Sequence, residues 1–379
     1  MQSKIKILVT DAGYKHTLGI VRSLGQSGYY VIAMDPNKRS QSFFSKYCKE
    51  KLISPDPKNE ADFIHFLKNY LMNNKIDVLL PVGYNSTITI SNNRSELLPY
   101  VKIPIAEKKA IDIASDKRKT LQLAKNLQVL IPKEYNSIEK IGRYPVVLKG
   151  IYESGQIKYI NSKEEAEKID LATNVIQEYI PGEGYGFYAL FNRGNVRAFC
   201  MHQRIREYPI TGGSSTCAKS VYCDELKRIG LKILKELHWH GVAMVEFKKK
   251  TCNGNYVLME INPKFWGSLD LSIASKVNFP KLLVEMSIEG DVEPINQYDI
   301  DIKYQWPFPD EILHLCANPY SILEIISDFF DKRAYCNIII RDPLPTLIQM
   351  IDTFFILSSR ILNRKIKFPH GKPTKNYDC

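Results

Sequence analysis

Two strings near the middle of the chain carry residue types suited to chemistry: Met244-Val245-Glu246-Phe247-Lys248 and Met259-Glu260-Ile261-Asn262-Pro263-Lys264-Phe265-Trp266-Gly267-Ser268. Each reads as a strand, in which successive side chains take opposite faces. Asn253-Gly254 between them is a hairpin signal, because both residues tolerate a positive φ. An antiparallel hairpin would set Glu246, Glu260 and Asn262 on one face and Val245, Phe247 and Ile261 on the other. Two carboxylates and an amide gathered in this way are costly unless a cation joins them. Hard oxygen donors suit Mg²⁺, which usually takes one or two carboxylates together with substrate phosphates. The expectation is therefore Mg²⁺ chemistry on a nucleotide. The plain alternative, a solvated acidic hairpin face, fits a lone strand glutamate better than it fits this set with its apolar flanks and the Asn-Pro-Lys-Phe-Trp-Gly run.

The elements that would position these residues follow from pattern. Ile5 to Val9 reads as a buried strand, Thr17 to Ser27 as a helix, and Tyr30 to Met34 as a strand ending at Asp35. Ala61 to Asn73 has helical spacing, and Asp77 to Pro81 is a third strand. This βαβαβ order implies a parallel sheet. The loop Thr10-Asp11-Ala12-Gly13-Tyr14-Lys15-His16-Thr17-Leu18-Gly19 lacks G-x-G-x-x-G spacing, which argues against a nicotinamide dinucleotide site there. Further on, Ile111 to Leu127 is expected as a helix, 144–149 and 174–180 as strands, and Asp224 to Leu237 as a helix.

Composition narrows the class. The 379 residues suffice for two or three packed units. The 8 cysteines form no CxxC pair and suggest reduced thiols, so a cytoplasmic location is expected. The opening Lys4-Ile5-Lys6-Ile7-Leu8-Val9 reads as a strand, not as a secretory leader. A net charge of +11 favours anionic partners, but no zinc-finger spacing, RNP string or helix-turn-helix pattern accompanies it, and nucleic acid is not expected.

Glu260-Ile261-Asn262-Pro263-Lys264-Phe265-Trp266-Gly267-Ser268, with Glu246 upstream, resembles the metal-binding end of the ATP-grasp superfamily. Carbamoyl-phosphate synthetase large chains, biotin carboxylases and D-alanine–D-alanine ligases belong to it. The resemblance covers roughly residues 1 to 290 and leans to the carbamoyl-phosphate-synthetase-large-chain-like branch, of carboxylate–amine ligase type. It implies an α/β and α+β chain: an N-terminal Rossmann-like domain over 1–105, a lid subdomain over 106–185, and a metal and substrate subdomain with an antiparallel sheet over 186–290. A partly helical tail with a basic end would follow over 291–379.

The resemblance also implies roles. Lys149, closing Pro145-Val146-Val147-Leu148-Lys149, matches the lysine that reaches the α- and β-phosphates of ATP, and Lys117 matches the earlier lid lysine. Gln177, Glu178, Tyr179 and Ile180 match the adenine hinge, with Glu183 on the ribose. Glu246, Glu260 and Asn262 would hold Mg²⁺ or Mn²⁺. Two departures stand out. The segment after Lys149, Gly150-Ile151-Tyr152-Glu153-Ser154-Gly155-Gln156, has one interior glycine where relatives have several. Lys264 stands where carboxylating relatives usually have arginine, which keeps the charge and loses the bidentate fork. A second loop, Thr211-Gly212-Gly213-Ser214-Ser215-Thr216, is expected to supply an anion nest through Gly212, Gly213 and Ser214. Arg204 and Arg206, alternating onto one strand face, would join Lys264 on the oxyanions of the reaction.

The implied activity is an ADP-forming ligase joining a small-molecule carboxylate to an amine through an acyl phosphate. An ATP-grasp carboxylase or carbamate-phosphorylating enzyme, and a non-catalytic nucleotide-binding protein, are the alternatives. His16 and His202 are candidate bases, although lone histidines are more often structural. A homodimer is compatible with the sequence. In the tail, Leu347, Ile348, Ile351, Phe354, Phe355 and Leu362 make one helix face. Packing of that face on the body is the first expectation, and peripheral membrane contact through 344–375, with lysines toward anionic lipid, is the second.

Overall fold

Ile7, Leu8 and Val9 are apolar in succession, as suits a strand covered on both faces. They lie in β1 (Lys6–Val9), fully buried at those three positions. The computed structural model describes residues 4–152, 157–363 and 366–369. β1 joins β2 (Tyr30–Asp35), β3 (Cys48–Ile53) and β4 (Val78–Leu80) in a parallel sheet of order β3-β2-β1-β4. Pattern did not reveal β3. Its sequence, Cys-Lys-Glu-Lys-Leu-Ile, is half charged because it is a half-exposed edge strand. After β1 the chain turns at Asp11, whose φ of 58° is one that aspartate tolerates better than most residues. Its carboxylate accepts from the Gly83 N–H at 2.7 Å, which ties the loop after β1 to the loop after β4.

The expected helix over 111–127 is two helices, Lys108–Ser115 and Lys117–Asn126. Asp116 divides them. Its carboxylate caps the second by accepting from the Arg118 and Lys119 N–H groups, which leaves Lys117 at the first helical position. A small antiparallel sheet follows, in order β5-β8-β6-β7: β5 (Glu134–Tyr135), β6 (Val146–Gly150), β7 (Lys158–Ile160) and β8 (Asn174–Glu178). It has its own core of Tyr135, Val146, Ile160, Ala166 and Ile176.

The largest sheet has seven strands in order β13-β12-β9-β10-β11-β14-β15. They are β9 (Gly182–Asn192), β10 (Asn195–Tyr208), β11 (Ser214–Ser220), β12 (Gly241–Lys250), β13 (Tyr256–Asn262), β14 (Lys303–Gln305) and β15 (Ala334–Cys336). The hairpin forms with Gly254 at φ 72°, and its register sets Glu246 opposite Glu260 and Met244 opposite Asn262. One core cluster joins Ile7 and Val9 of β1 to Leu190 of β9 and to Phe265 and Trp266 beyond β13, so the N-terminal sheet and the large sheet share their interior.

The segment after 290 is woven into this body. β14 pairs with β11, and Trp306 just beyond it is fully buried. Buried charges fasten it further: Arg22 meets Asp342 at 2.8 Å, and Arg206 meets Glu311 at 3.0 Å and Asp328 at 2.7 Å. The helix Leu344–Leu362 spans the predicted residues but faces the other way. It buries Pro345, Gln349 and Thr353 and turns Leu347, Ile351, Phe354, Phe355 and Leu362 outward. Among the described residues no helix is long and apolar enough to cross a membrane.

Because Arg206 neutralises two buried carboxylates, Arg206→Ala would leave Glu311 without its cation and Asp328 with Lys303 alone, 2.7 Å away. A loss of about 3–5 kcal/mol is expected, read as a lowered urea midpoint. An unchanged midpoint would mean that the cluster does not hold the C-terminal segment.

Candidate active site

The site begins with a run that pattern reading passed over: Gly182-Glu183-Gly184-Tyr185-Gly186 on β9. Alternation puts the glycines on one face of the sheet, and the register aligns Gly186 with Glu246 and Gly184 with Lys248. The bare backbone there makes room for large side chains. A Cβ on Gly184 would lie 2.7 Å from Arg204 Cδ, and one on Gly186 would lie 2.4 Å from the Tyr188 hydroxyl. Arg204 thus lies across β9 and reaches Glu246, Nη2 to Oε1, at 2.7 Å. Its Nη1 donates to the Gly213 carbonyl at 3.0 Å, which fixes the loop between β10 and β11.

Around this pair the charges alternate in sign. Burial pushes the Glu246 carboxyl up, and the Arg204 guanidinium opposes that shift without cancelling it. For Glu260, burial also acts upward, but Lys117 and Lys149 outweigh it and hold the carboxyl below its ordinary value. Lys117 Nζ stands 3.9 Å from Glu260, and Asn262 Nδ2 donates to Glu260 at 3.0 Å. Burial drives Lys149 down to about 8, against the pull of Glu260. Two carboxylates and an amide on adjacent strands, open to a cleft lined by lysines, fit Mg²⁺ shared with phosphates. Among the described residues no group of three His, Cys, Asp or Glu side chains gathers to hold a metal by itself.

Two connected chambers border this cluster. The first is lined by Lys149, Tyr159, Gln177, Glu178, Tyr179, Ile180, Lys248 and Met259. Gln177 is 1% exposed, and among the described residues its Oε1 has no hydrogen-bond partner, so an acceptor is held ready at the chamber wall. Glu178 meets Lys250 at 3.4 Å. Lys248 donates to the Ile180 carbonyl at 3.1 Å and sits 5.3 Å over the Tyr179 ring, which braces the chain as it leaves the small sheet. The second chamber, about 400 Å³, is lined by Tyr188, Gly212, Gly213, Ser214, Met244, Asn262, Lys264 and the run Phe265 to Ser268. Arg204, Glu246, Glu260 and Gly212 belong to both. Gly212 has φ 128°, and a Cβ on Gly213 would fall 2.2 Å from Tyr208 backbone, so both glycines are required by the turn. The Tyr159 hydroxyl donates to the Thr211 carbonyl and joins the small sheet to that turn.

The structure therefore brings together Lys117, Lys149, Gln177, Glu178, Tyr179, Ile180, Arg204, Gly212, Gly213, Ser214, Glu246, Glu260, Asn262 and Lys264. It does not bring Glu183 or Arg206. Glu183 alternates to the far face of β9, where it accepts from Tyr185 and Gln203, both at 3.0 Å. Arg206 was expected beside Arg204, but register shifts lie between Arg204 and Arg206 and again after Arg206. The bulge turns Arg206 to the C-terminal segment. His202 is buried between Ser268 and Ser272, each at 3.1 Å, and burial drives it down to about 3. His16 is likewise pushed well down by burial, with Lys264 and Lys15 adding to the shift, so both rings are neutral. Glu153 to Gln156 of the glycine-poor loop lie outside the described residues. Sequence reading missed roles for Lys248 and Tyr188. The signal that could have found them is the alternate-glycine run, which marks the face where long side chains must lie.

Residues 170–306 match a family model described as ATP-grasp in the biosynthetic pathway with Ter operon. A 75-residue stretch is 40% identical to D-alanine–D-alanine ligase of Fusobacterium nucleatum, covering 19% of this chain and 26% of that enzyme. The matched stretch thus spans about a quarter of that relative's length. Among solved structures, L-amino acid ligase from Bacillus licheniformis superposes with a TM-score of 0.60 at 14% identity, over 78% of this chain and 79% of that one. N5-carboxyaminoimidazole synthetase from Staphylococcus aureus complexed with ADP gives 0.61 at 17% identity, over 80% and 82%. Biotin carboxylase from Campylobacter jejuni gives 0.61 at 14%, over 79% and 74%. Residues 170–306 thus carry the family match, and the superpositions show that the chain has the ATP-grasp fold.

Proposed function

We propose that this chain is an ATP- and Mg²⁺-dependent ligase that activates a carboxylate as an acyl phosphate and joins it to an amine. The observation that carries the reading is the order of charges along the cleft. Lys117 and Lys149 stand on the small-sheet side, Glu260 and Glu246 in the middle, and Arg204 and Lys264 at the second chamber. That order matches a nucleotide laid from the hinge to the carboxylates, with its terminal phosphate at the border of the two chambers. Mg²⁺ (or Mn²⁺), when bound, neutralises charge developing on the β- and γ-phosphates.

The chain's own residues then have distinct work. Gln177, Glu178, Tyr179 and Ile180 hold the base, and Lys117 and Lys149 the phosphates. Glu246, Glu260 and Asn262 supply the metal's oxygen donors. Arg204 and Lys264 orient the substrate carboxylate, whose oxygen attacks the γ-phosphorus while the bond to the β-phosphate oxygen breaks and ADP departs. The amine nitrogen then attacks the acyl carbon, the carbon–oxygen bond to phosphate breaks, and the amine loses a proton. Preorganised cations on both oxyanions suffice for these steps, with no covalent nucleophile. Neutral, buried His16 and His202 are not assigned to the proton transfer.

The decisive assay is ADP release over panels of carboxylates and amines, with products identified by mass spectrometry from cell extract and Mg-ATP. A new amide accompanying ADP supports the reading. ADP release that requires bicarbonate alone would make the chain a carboxylase, and nucleotide binding without turnover would make it a non-catalytic binder. Glu260→Gln and Glu246→Gln are each expected to lower turnover by on the order of 10²–10³-fold with circular dichroism unchanged. Full turnover in either would remove that residue from the metal set.

Lys149 adds a pH dependence. Its proton is needed for phosphate binding and is lost near 8 in the free protein. Mg-ADP affinity measured by calorimetry should weaken as pH rises through that value, and Lys149→Arg should flatten the profile. The folding sign is opposite. The unfolded lysine keeps its proton to 10.5, so between about 8 and 10.5 the unfolded chain binds more protons. Stability contributed at Lys149 therefore rises with pH across that window. Wild type should gain on Lys149→Met by up to about 3 kcal/mol there, and parallel urea profiles would refute the depressed value.

A further inference from the structure

The helix Leu344–Leu362 is inverted relative to the body. Its inner side is held by polar contacts in the middle turns, where Gln349 and Thr353 are buried, Gln349 donates to Gln41 Oε1, and Asn337 donates to Gln349 Oε1 at 3.4 Å, while further along Ile356 and Leu357 pack half-buried against Tyr208, Leu313 and Ala317. Its outer side is apolar. Leu347, Met350, Ile351, Phe354 and Phe355 recur at helical spacing, and Phe354 is 68% exposed. They form one continuous stripe, continued by Ile361 and Leu362. The polar contacts fix the helix in this orientation, so the stripe is a standing feature of the folded chain. Soluble proteins rarely leave such a stripe without a partner.

Charge selects the partner. Asp352 is the one acidic residue of the helix and is matched by Arg39 at 3.8 Å, whose guanidinium also lies 5.8 Å over the Phe355 ring. From Arg360 to Lys375 the sequence holds six basic residues, Arg360, Arg364, Lys365, Lys367, Lys372 and Lys375, and no acid. A second copy would bring together two chains that each carry +11 and this same basic sequence. An anionic lipid surface takes up the apolar stripe and attracts the basic sequence that begins in the helix's last turn. The helix is not apolar enough to span, which leaves it in the plane of the interface. We propose that helix Leu344–Leu362 docks the folded chain on an anionic lipid surface, with Leu347, Ile351, Phe354 and Phe355 entering the acyl boundary. This does not depend on the ligase reading. It has a geometric consequence: Arg360 donates to the Tyr208 hydroxyl at 2.8 Å, and Tyr208 lines the second chamber, so that chamber would lie next to the lipid.

The full chain is mixed with phosphatidylcholine vesicles with and without phosphatidylglycerol and sedimented. Binding is expected to the anionic vesicles, to weaken with salt, and to fall at least about tenfold without phosphatidylglycerol. Leu347→Glu and Phe354→Glu should each abolish it while leaving the thermal midpoint unchanged, since both side chains are exposed. A second measurement uses Phe354→Trp. The three native tryptophans are buried, so only Trp at 354 should be quenched by brominated acyl chains. Absence of sedimentation with anionic vesicles, binding that survives both glutamate variants, or no quenching would overturn the proposal. A lipid-free dimer seen by light scattering and broken by Phe354→Glu would also overturn it, assigning the stripe to a second copy.

Discussion

The contact on which the cleft depends is the ion pair between Arg204 and Glu246, 2.7 Å long and largely shielded from water. Glu246 faces Glu260 across the hairpin, and two buried carboxylates side by side resist being ionised together. Something must compensate each. Arg204 serves Glu246, and Lys117 with Lys149 serves Glu260. The compensation has a backbone requirement, because Arg204 crosses β9 only where Gly184 offers no side chain. It also has a domain requirement, because Lys117 and Lys149 belong to the small-sheet unit and must be brought over the large sheet. The Tyr159 contact to Thr211 and the Lys248 contact to Ile180 make that approach. Charge balance, glycine placement and the docking of the small sheet are therefore one constraint seen at three scales.

The same strand also anchors the C-terminal segment. The bulge in β10 separates two arginines that simple alternation would have kept together. Arg204 goes to the cleft and Arg206 to Glu311 and Asp328. A few residues on, Tyr208 lines the second chamber and accepts from Arg360. The loop carrying Gly212 and Gly213 is thus held from one side by the small sheet and from the other by the C-terminal helix. Burying an arginine between two carboxylates is a weak source of net stability. Its effect here is positional: it fixes which side of β10 meets the tail.

Much of this was legible from residues. The parallel N-terminal sheet, the hairpin register and the helix over 344–362 follow from periodicity and turn chemistry. Glu246, Glu260 and Asn262 follow from alternation across an Asn-Gly turn. What escaped has identifiable causes. β3 is an edge strand whose lysines hide its pattern. Arg206 was misplaced because a bulge leaves no mark in composition. Glu183 was assigned to the cleft from its place near the hinge, although alternation from Gly184 and Gly186 puts it on the other face. The helix face was read correctly but its orientation was not, since nothing in the helix itself states that Gln349 has partners at Gln41 and Asn337.

The two chambers differ in how they are built, and that difference bears on specificity. The first draws on short local strings, the end of β6, the hinge after β8 and the face of β12, so it can be recognised from sequence. The second closes where three separated parts meet. Lys15, at the start of the helix Lys15–Gln26 that follows β1, reaches Asp310 at 2.5 Å and the Ser215 carbonyl at 3.0 Å, and lies 4.4 Å over the Trp306 ring. Gly267, which lines the chamber, adjoins Lys15 so closely that a Cβ would stand 3.4 Å from its Cε. Lys264 faces the same space with a point charge in place of an arginine fork, which relaxes the geometry it asks of an oxyanion. On the ligase reading, nucleotide use is written in local motifs, whereas acceptor choice is written in the junction of the first helix's start, the β10–β11 turn and the C-terminal segment. On the same reading, a change at any one of these, including one far in sequence from Glu246, Glu260 and Asn262, would alter which carboxylate or amine is accepted while leaving ATP binding in place.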